Sequence, residues 1–509
     1  MSADTSHGYM TIELPGDPGE EIYVESMTGR EALGQTYRFD ISLLSKKPID
    51  LESLLGKTAR LKLERAGENL EVAGVIGSAR TGDPTPNREF SYSVVIEPEL
   101  AMLRHSAQNQ VYGTDKDVTV VDIIQAELSD ANKSDSNTAS DRVARQIQSE
   151  LLVSSSDYPK LDFVFQYRES DLNFICRMCE RFGIYFAFDQ SGDREKVIFG
   201  DRKEHFTKLS GNQITDELPY RSKNQVMGTD TFGVWSFNAN YETMSGTVAL
   251  REYNEITPKV SLSVSENTSF TGQGVTTLYG ENYPTVSDGQ FIAKRRVDQV
   301  EGERLQFFGE CNIPNLRPGL FFQLKDHPIS DLDGLYIVIS AEHACTVSTP
   351  IGFSSTGREP APYINRFVCV PFDKGYRPPV ATPKPVISGY MVAFIDGESD
   401  GSRAELDDYG RYKVRILDEE SGLLNGKASH EVRKMEPYGG GDGYGSHSTL
   451  LKGTEVLIGF LQGDPDRPVV LGAVSNGEQM NPVTSSNQNV AHRTKTASGV
   501  VFQISDGSA

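Results

Sequence analysis

Short runs in which apolar and polar residues alternate dominate this chain. Up to about residue 100 they read YRFDISLL (37–44), ARLKLE (59–64), LEVAGVIGSA (70–79) and REFSYSVVIEPEL (88–100), broken by Gly and Pro. A period of two sends successive side chains to opposite faces, so these runs predict antiparallel strands. The period then changes. Within 118–128, Val120, Ile123, Ile124 and Leu128 share one helical face. The polar stretch SDANKSDSNTASD (129–141) predicts a loop with little to bury.

A second helix is expected after Ser170 and Asp171, both good helix-start residues. Leu172, Ile175, Cys176, Cys179 and Phe182 repeat at spacings of three and four and predict one apolar stripe. Gly183 ends that helix and IYFAF resumes a strand. From 195 to 375 the chain returns to strand patterns, such as KVIFG, TVALREY, LQFFGEC, LFFQL and LYIVIS. PFDKGYRPPVATPKP (371–385) is proline-rich, extended and semi-rigid, and marks a domain boundary. YMVAFI, GRYKVRIL, EVRKME, GTEVLIGFL and PVVLGAV follow between Ile387 and about Ser475. Such a set of short strands fits a small OB-type barrel. GDPDRP (463–468) separates the last two. Asp464 can accept from the backbone ahead of it, Pro465 fixes a turn, and Pro468 opens the next strand, so a hairpin is predicted.

Length and charge narrow the picture. A chain of 509 residues suggests about three domains. Fifty Lys plus Arg against 71 Asp plus Glu give a formal charge of −21, which argues against a broad phosphate-binding or anionic-membrane surface. The N-terminus lacks the basic start and apolar core of a secretory signal, and no apolar run reaches bilayer length. Five cysteines are few and odd in number, so a disulfide framework is not expected.

Candidate chemistry is sparse. Cys176 and Cys179 form a CxxC, but both lie mid-helix on the apolar stripe with no second pair for zinc, so packing is the better reading. GGGDGYG (439–445) lacks the Lys-Ser or Lys-Thr and the helix of a phosphate cradle and reads as a flexible inter-strand loop. DGESDGSRAELD (396–407) places Asp396, Glu398, Asp400, Gly401 and Asp407 at calcium-loop positions. A strand precedes it, however, and the final bidentate Glu is missing, so a solvated acidic loop is expected. The histidines form no short metal motif, and no nucleophile elbow appears.

Two long blocks carry a resemblance. YRESDLNFICRMCERFGIYFAF (167–188) resembles the signature of the VgrG family, the spike proteins of the bacterial type VI secretion system. Tyr167, Glu169, Ser170, Asp171, Phe174, Glu180, Gly183 and Ile184 match it. DDYGRYKVRI (407–416), VRKMEPY (432–438) and GTEVLIGFLQGDPDRPVVLGAVSN (453–476) match in the same order and spacing. Tyr409-Gly410-Arg411-Tyr412 stands where the family commonly has Leu-Gly-Arg-Val. The proline usual before Gly-x-Glu-Val is missing here.

The resemblance implies a mainly β chain with minor α. It implies a hub of two tube-protein-like β-barrels with inserted helices (1–375), a linker (376–386), an OB-fold neck (387–475) and the start of a triangular β-helix needle (476–509). It implies a homotrimer, whose six barrels would let a three-fold spike cap a six-fold tube. The implied partners are an Hcp-type tube hexamer, a PAAR-type tip protein, baseplate components, and effectors or their adaptors. Nucleic acid, cofactor, metal and catalytic residues are not implied. Assembly in the cytoplasm, secretion without a signal peptide and transient passage through a target membrane are. Only the residues after Ser475 remain for a needle, a stub of about 20 Å at ~4.8 Å per layer. ASGVVFQISDG begins an apolar strand pattern and stops, so truncation is expected. Three other readings compete: a contractile-phage hub or tail spike, a cell-wall hydrolase, and a nucleic-acid binder using Arg411, Lys413 and Arg415 of the small barrel.

Overall fold

A computed structural model describes residues 9–15, 22–85, 89–114, 117–132, 145–227, 230–347, 361–397, 403–417, 422–441, 443–485 and 491–505. Most of the expected loop at 129–141 lies outside them. The chain divides into two compact units. The larger comprises Met1–Ala107, Thr119–Pro159 and Ser170–Lys384; the smaller comprises Gln108–Val118, Lys160–Glu169 and Pro385–Ala509. The change of unit at Lys384/Pro385 falls inside the Pro-rich segment. The two short excursions, 108–118 and 160–169, carry no compositional mark.

A 13-stranded sheet organises the larger unit. Its main path runs Tyr9–Glu13, Thr58–Arg65, Glu68–Thr81, Phe90–Glu97, Arg38–Ser45, Ile22–Ala32, Gly334–Thr346, Ala361–Pro371, Leu305–Cys311 and Val234–Tyr241. The alternation read from sequence is real: in Thr58–Arg65, Ala59, Leu61 and Leu63 point inward while Thr58 and Glu64 face water. Burying each such leucine contributes roughly 1.5–3 kcal/mol. Among the described residues the sheet carries two large cores and a smaller cluster around Ile337, Ile339 and Val370. Phe39, Ile41, Leu61, Val72, Val94 and Ile96 centre the first, and Val234, Phe237, Phe307, Phe322, Val338 and Phe367 centre the second. The strands Gly334–Thr346 and Ala361–Pro371 serve both, since Cys345 and Tyr363 join the first core while Val338 and Phe367 join the second. One device recurs in both halves. Gly29 faces Phe39 across one strand pair and Gly309 faces Phe367 across another. A Cβ on either glycine would overlap the opposing ring. The aromatic ring covers its glycine neighbour, a cross-strand pairing that fixes register.

Among the described residues five α-helices interrupt the strands: α1 Leu51–Leu54, α2 Val120–Ala131, α3 Asp171–Phe182, α4 Lys223–Val226 and α5 Val286–Arg304. Helix α2 buries Val120, Ile123, Ile124 and Leu128, the residues its period selected, and opens with a Thr119/Asp122 capping box. Helix α3 starts after Ser170, whose side chain accepts from Asn173 N–H, and stops at Gly183 with φ +70°. Its buried stripe differs from the expected one. Phe174, Ile175, Met178, Cys179 and Phe182 are buried, whereas Leu172 and Cys176 lie at the rim. Helix α5 falls where only strands were expected. Its buried face consists of Gly289, Ile292, Ala293, Arg296, Val297, Gln299 and Gly302, so polar and glycine positions hide the helical period. It packs against a three-stranded sheet, Leu262–Asn267, Thr247–Glu252 and Val275–Tyr279, to form a separate core around Val248, Leu250, Val264 and Tyr283.

In the smaller unit, Lys413–Ile416, Met391–Asp396, Glu455–Phe460 and Pro468–Ala473 pair in that order. The expected strand 431–436 forms only isolated bridges, but these close the ring: Val432 bridges Tyr412 and Lys434 bridges Val470. Ala393, Ile395, Val414, Ile416, Val456, Ile458 and Val470 fill the interior. Val111, Phe163 and Phe165, from the two excursions, complete that core. Where GGGDGYG is expected as a flexible inter-strand loop, Tyr438–Gly441 pairs antiparallel with Tyr444–Ser446, and the rings of Tyr438 and Tyr444 sit 5.8 Å apart. Gly440, Gly443 and Gly445 all have positive φ, a backbone region that glycine enters freely.

Candidate functional site

The α3 signature has a mechanical role that its sequence does not announce. Glu180 is buried at the end of α3. Its carboxylate accepts from Ala381 N–H (2.8 Å), Thr382 N–H (2.7 Å) and Thr382 Oγ1 (2.7 Å). Two consecutive backbone donors of the Pro-rich segment are thus held by one anion, the strong class of hydrogen bond. Gln299 of α5 donates to both Glu180 O (2.8 Å) and Pro378 O (2.7 Å). Arg377 reaches Gly183 O (2.8 Å) and pairs with Asp298 at 2.7 Å. Gly183 matters twice. Its positive φ turns the chain out of α3, and a Cβ there would stand 2.8 Å from Arg377 Cδ. The signature is therefore a clamp that α3 and α5 close on the segment leaving the hub.

A second polar cluster sits at the middle of the hub sheet, where Ile22–Ala32, Gly334–Thr346 and Ala361–Pro371 lie side by side. Glu31 is buried, paired with Arg317 at 2.5 Å and bonded to His343 Nε2 at 2.9 Å. His343 Nδ1 meets Tyr363 Oη at 2.6 Å, and Arg317 also donates to Glu71 O at 2.8 Å. Burial alone would raise the Glu31 carboxyl, but the Arg317 charge and the His343 contact outweigh it and hold it down to about 2. Glu31, Arg317, His343 and Tyr363 satisfy one another, which is the arrangement of a brace and not of an acid–base pair aimed at substrate.

The GDPDRP hairpin forms as expected, with Phe460 opposite Pro468 and Asp464 Oδ1 accepting Asp466 N–H at 2.9 Å. Its charge has a second use. Asp466 is buried and accepts Phe165 N–H at 2.8 Å, so the turn caps an incoming strand of the same unit. Sequence reasoning missed this because nothing local links positions 165 and 466.

The candidate chemical sites fare as follows. Burial pushes the Cys176 thiol up to about 12 and raises that of Cys179 well above its ordinary value, the reverse of an activated pair. Of the acidic loop, Asp396 accepts Gly426 N–H and Asp407 accepts from Tyr409 and Arg411; Glu398, Asp400 and Gly401 lie outside the described residues. Among the described residues no group of His, Cys, Asp and Glu is placed to hold a metal ion. Nor is any helix among them long and apolar enough to cross a membrane. The cationic strip is not free: Arg411 pairs with Asp407 at 2.6 Å, Lys413 with Glu431 at 3.3 Å, and Arg415 lies over Phe394.

At the far end, Ala491–Lys495 and Val501–Ser505 pair as an antiparallel hairpin. Val500, Val501, Phe502 and Ile504 are all exposed, Phe502 at 68%. One hairpin with uncovered apolar faces is marginal in water by itself. No β-helix is formed by the described residues of a single copy.

A many-stranded hub, a clamped exit segment and a closed small barrel define a tail-tip hub. The chain belongs to the family described as phage tail baseplate hub (GPD), which matches residues 30–348. The type VI secretion system/phage-baseplate injector OB domain matches residues 408–474. Within that class the resemblance to VgrG spike proteins stands. The chain is 28% identical to the type VI secretion system spike protein VgrG1b of Pseudomonas aeruginosa over 471 residues, 91% of this chain and 60% of that protein. It is 25% identical to the actin cross-linking toxin VgrG1 of Vibrio cholerae, covering 96% of this chain and 43% of the toxin. It thus spans about three fifths or less of these curated relatives. In fold it is similar to the E. coli c3393 protein, a type VI secretion component described as resembling T4 bacteriophage tail proteins gp27 and gp5 (TM-score 0.63, 23% identity, 91% of this chain and 100% of that one). A chain of the half-lidded Francisella PdpA–VgrG complex gives a TM-score of 0.60 at 9% identity, covering 95% of this chain and 79% of that one.

Proposed function

We propose that this chain forms the hub and neck of a homotrimeric spike at the tip of a type VI secretion tube, which punctures target membranes and carries effectors. The division into hub (1–375), linker (376–386), neck (387–475) and needle start (476–509) belongs to this proposal. The observation that carries it is the union, in one chain, of the hub fold and the injector OB domain, followed by an apolar hairpin that the described residues leave uncovered. Three copies of that hairpin cover one another as the first layers of a needle. The tube hexamer binds the hub and a cone-shaped tip protein binds the needle end. The spike is non-enzymatic, because a contracting sheath supplies the work; it is assembled in the cytoplasm and leaves without a signal peptide. A hub in a contractile phage or phage-derived particle is the second reading, favoured by the phage family that matches the longer part of the chain.

Sedimentation of the full chain tests the assembly. A trimer is expected at micromolar concentration, and Phe502→Asp with Ile504→Asp shifts it toward monomer. A chain that stays monomeric at several hundred micromolar, or a double variant that remains trimeric, would refute the role given to the hairpin.

A further inference from the structure

The small sheet beside α5 ends on an edge that the described residues leave without a second pairing strand. Its order is Leu262–Asn267, Thr247–Glu252, Val275–Tyr279, so Val275–Tyr279 is paired on one side only among the described residues. It runs parallel to its neighbour, with Thr277 opposite Ala249 and Tyr279 opposite Arg251. In such a strand alternate residues turn their backbone N–H and C=O away from the neighbour, toward open space.

Proteins ordinarily blunt such edges with Lys, Pro, a bulge or a covering loop. This edge has none of the first three. It reads VTTLY, uncharged and built of strong strand formers. Val275 is 60% exposed and Tyr279 50%. The face turned away from α5 is also unusual for this chain. Val248, Leu250, Leu262 and Val264 point toward the core, which leaves Thr247, Arg251, Ser265, Val275, Thr277 and Tyr279 on the opposite side. Arg251 is the one charged side chain among the outward positions of these strands, on a chain of formal charge −21. On a chain with a net excess of carboxylates, a partner meets hydroxyls, a tyrosine and a cation here.

We infer that Val275–Tyr279 is a docking strand, which an extended, neutral-to-acidic segment of a partner protein joins as a further strand of this sheet. Backbone pairing supplies the affinity, and Val275, Thr277, Tyr279 and Arg251 select the side chains of the incoming strand. The inference does not depend on the spike reading, since it rests on this sheet alone.

The probe is a fluorescein-labelled peptide of sequence TVALSEYE, which copies the natural neighbour Thr247–Tyr253 with its arginine replaced by serine and a glutamate added. Binding to the full chain is followed by anisotropy and by amide hydrogen exchange. Saturable binding is expected, with new protection of alternate amides within 275–279. Thr277→Lys, a substitution that natural edges use, weakens it about tenfold or more. Ser265→Lys, on the same face but the far strand, changes it less than about twofold by the same edge-pairing argument. Absence of saturable binding up to millimolar peptide, protection elsewhere, or equal effects of the two lysines would overturn the inference. So would a change in oligomeric state caused by Thr277→Lys, because the occupant would then be a second copy of this chain. Melting curves of both variants establish that the sheet is intact.

Discussion

Removing the Glu180 carboxylate tests the clamp directly. In Glu180→Ala three hydrogen bonds to an anion disappear, from Ala381 N–H, Thr382 N–H and Thr382 Oγ1. Each such bond is worth about 1.5–3 kcal/mol when its donor is shut off from water. Ala381 is exposed and Thr382 only half-buried, so water replaces much of what is lost. A net local loss of about 2–3 kcal/mol remains after that discount. At 1.4 kcal/mol per factor of ten, the Ala381 and Thr382 amides then exchange about 30- to 150-fold faster. Cleavage of the Pro-rich segment by a protease of broad specificity, such as subtilisin, accelerates in parallel, while the hub and barrel cores keep their protection. Glu180→Gln retains one acceptor oxygen without the charge and loses about 1 kcal/mol. Exchange at Ala381 and Thr382 within threefold of the parent in Glu180→Ala would refute the clamp.

Other predictions follow from single contacts. The Glu31 carboxyl is held below its ordinary value, so its stabilisation is complete above about pH 4.5 and fades as pH falls toward 2. Urea midpoints therefore drop across that window, and Glu31→Gln flattens the acid limb while lowering stability at pH 7; an unchanged limb contradicts the brace. Gly309→Ala drives a methyl into the Phe367 ring and is expected to destabilise by about 1–3 kcal/mol, read as a lower denaturation midpoint. Asp466→Ala leaves Phe165 N–H without its acceptor, at about 1–3 kcal/mol, and deprotects that amide in exchange. Cys179 stays unreactive to a disulfide reagent at pH 8 until the chain unfolds, while Cys176, at the rim with a raised thiol, labels slowly; rapid labelling of Cys179 in the native protein would show that burial does not control it.

What could be read without coordinates was whatever a local period or a local turn encodes. Helices α2 and α3, the stop at Gly183, the GDPDRP hairpin and the alternating strands of the hub are of this kind, because each rests on residues a few positions apart. Helix α5 was not legible, since glycines, an arginine and a glutamine occupy its buried face and the period carries no hydrophobic signal. The stripe of α3 was misplaced by one position for a related reason: period gives a face, but neighbours decide which edge of it is covered.

The long-range pairings belong to the fold alone. Glu180 finds Thr382 across 202 positions, Glu31 finds His343 across 312 and Asp466 finds Phe165 across 301. A buried carboxylate needs donors, but its sequence neighbourhood does not say where in the chain they lie. The family signature could be recognised from its residues; that its glutamate grips the exit segment was decided only when α3, α5 and the Pro-rich stretch came together in space, where a buried charge is stable only beside the donors that satisfy it.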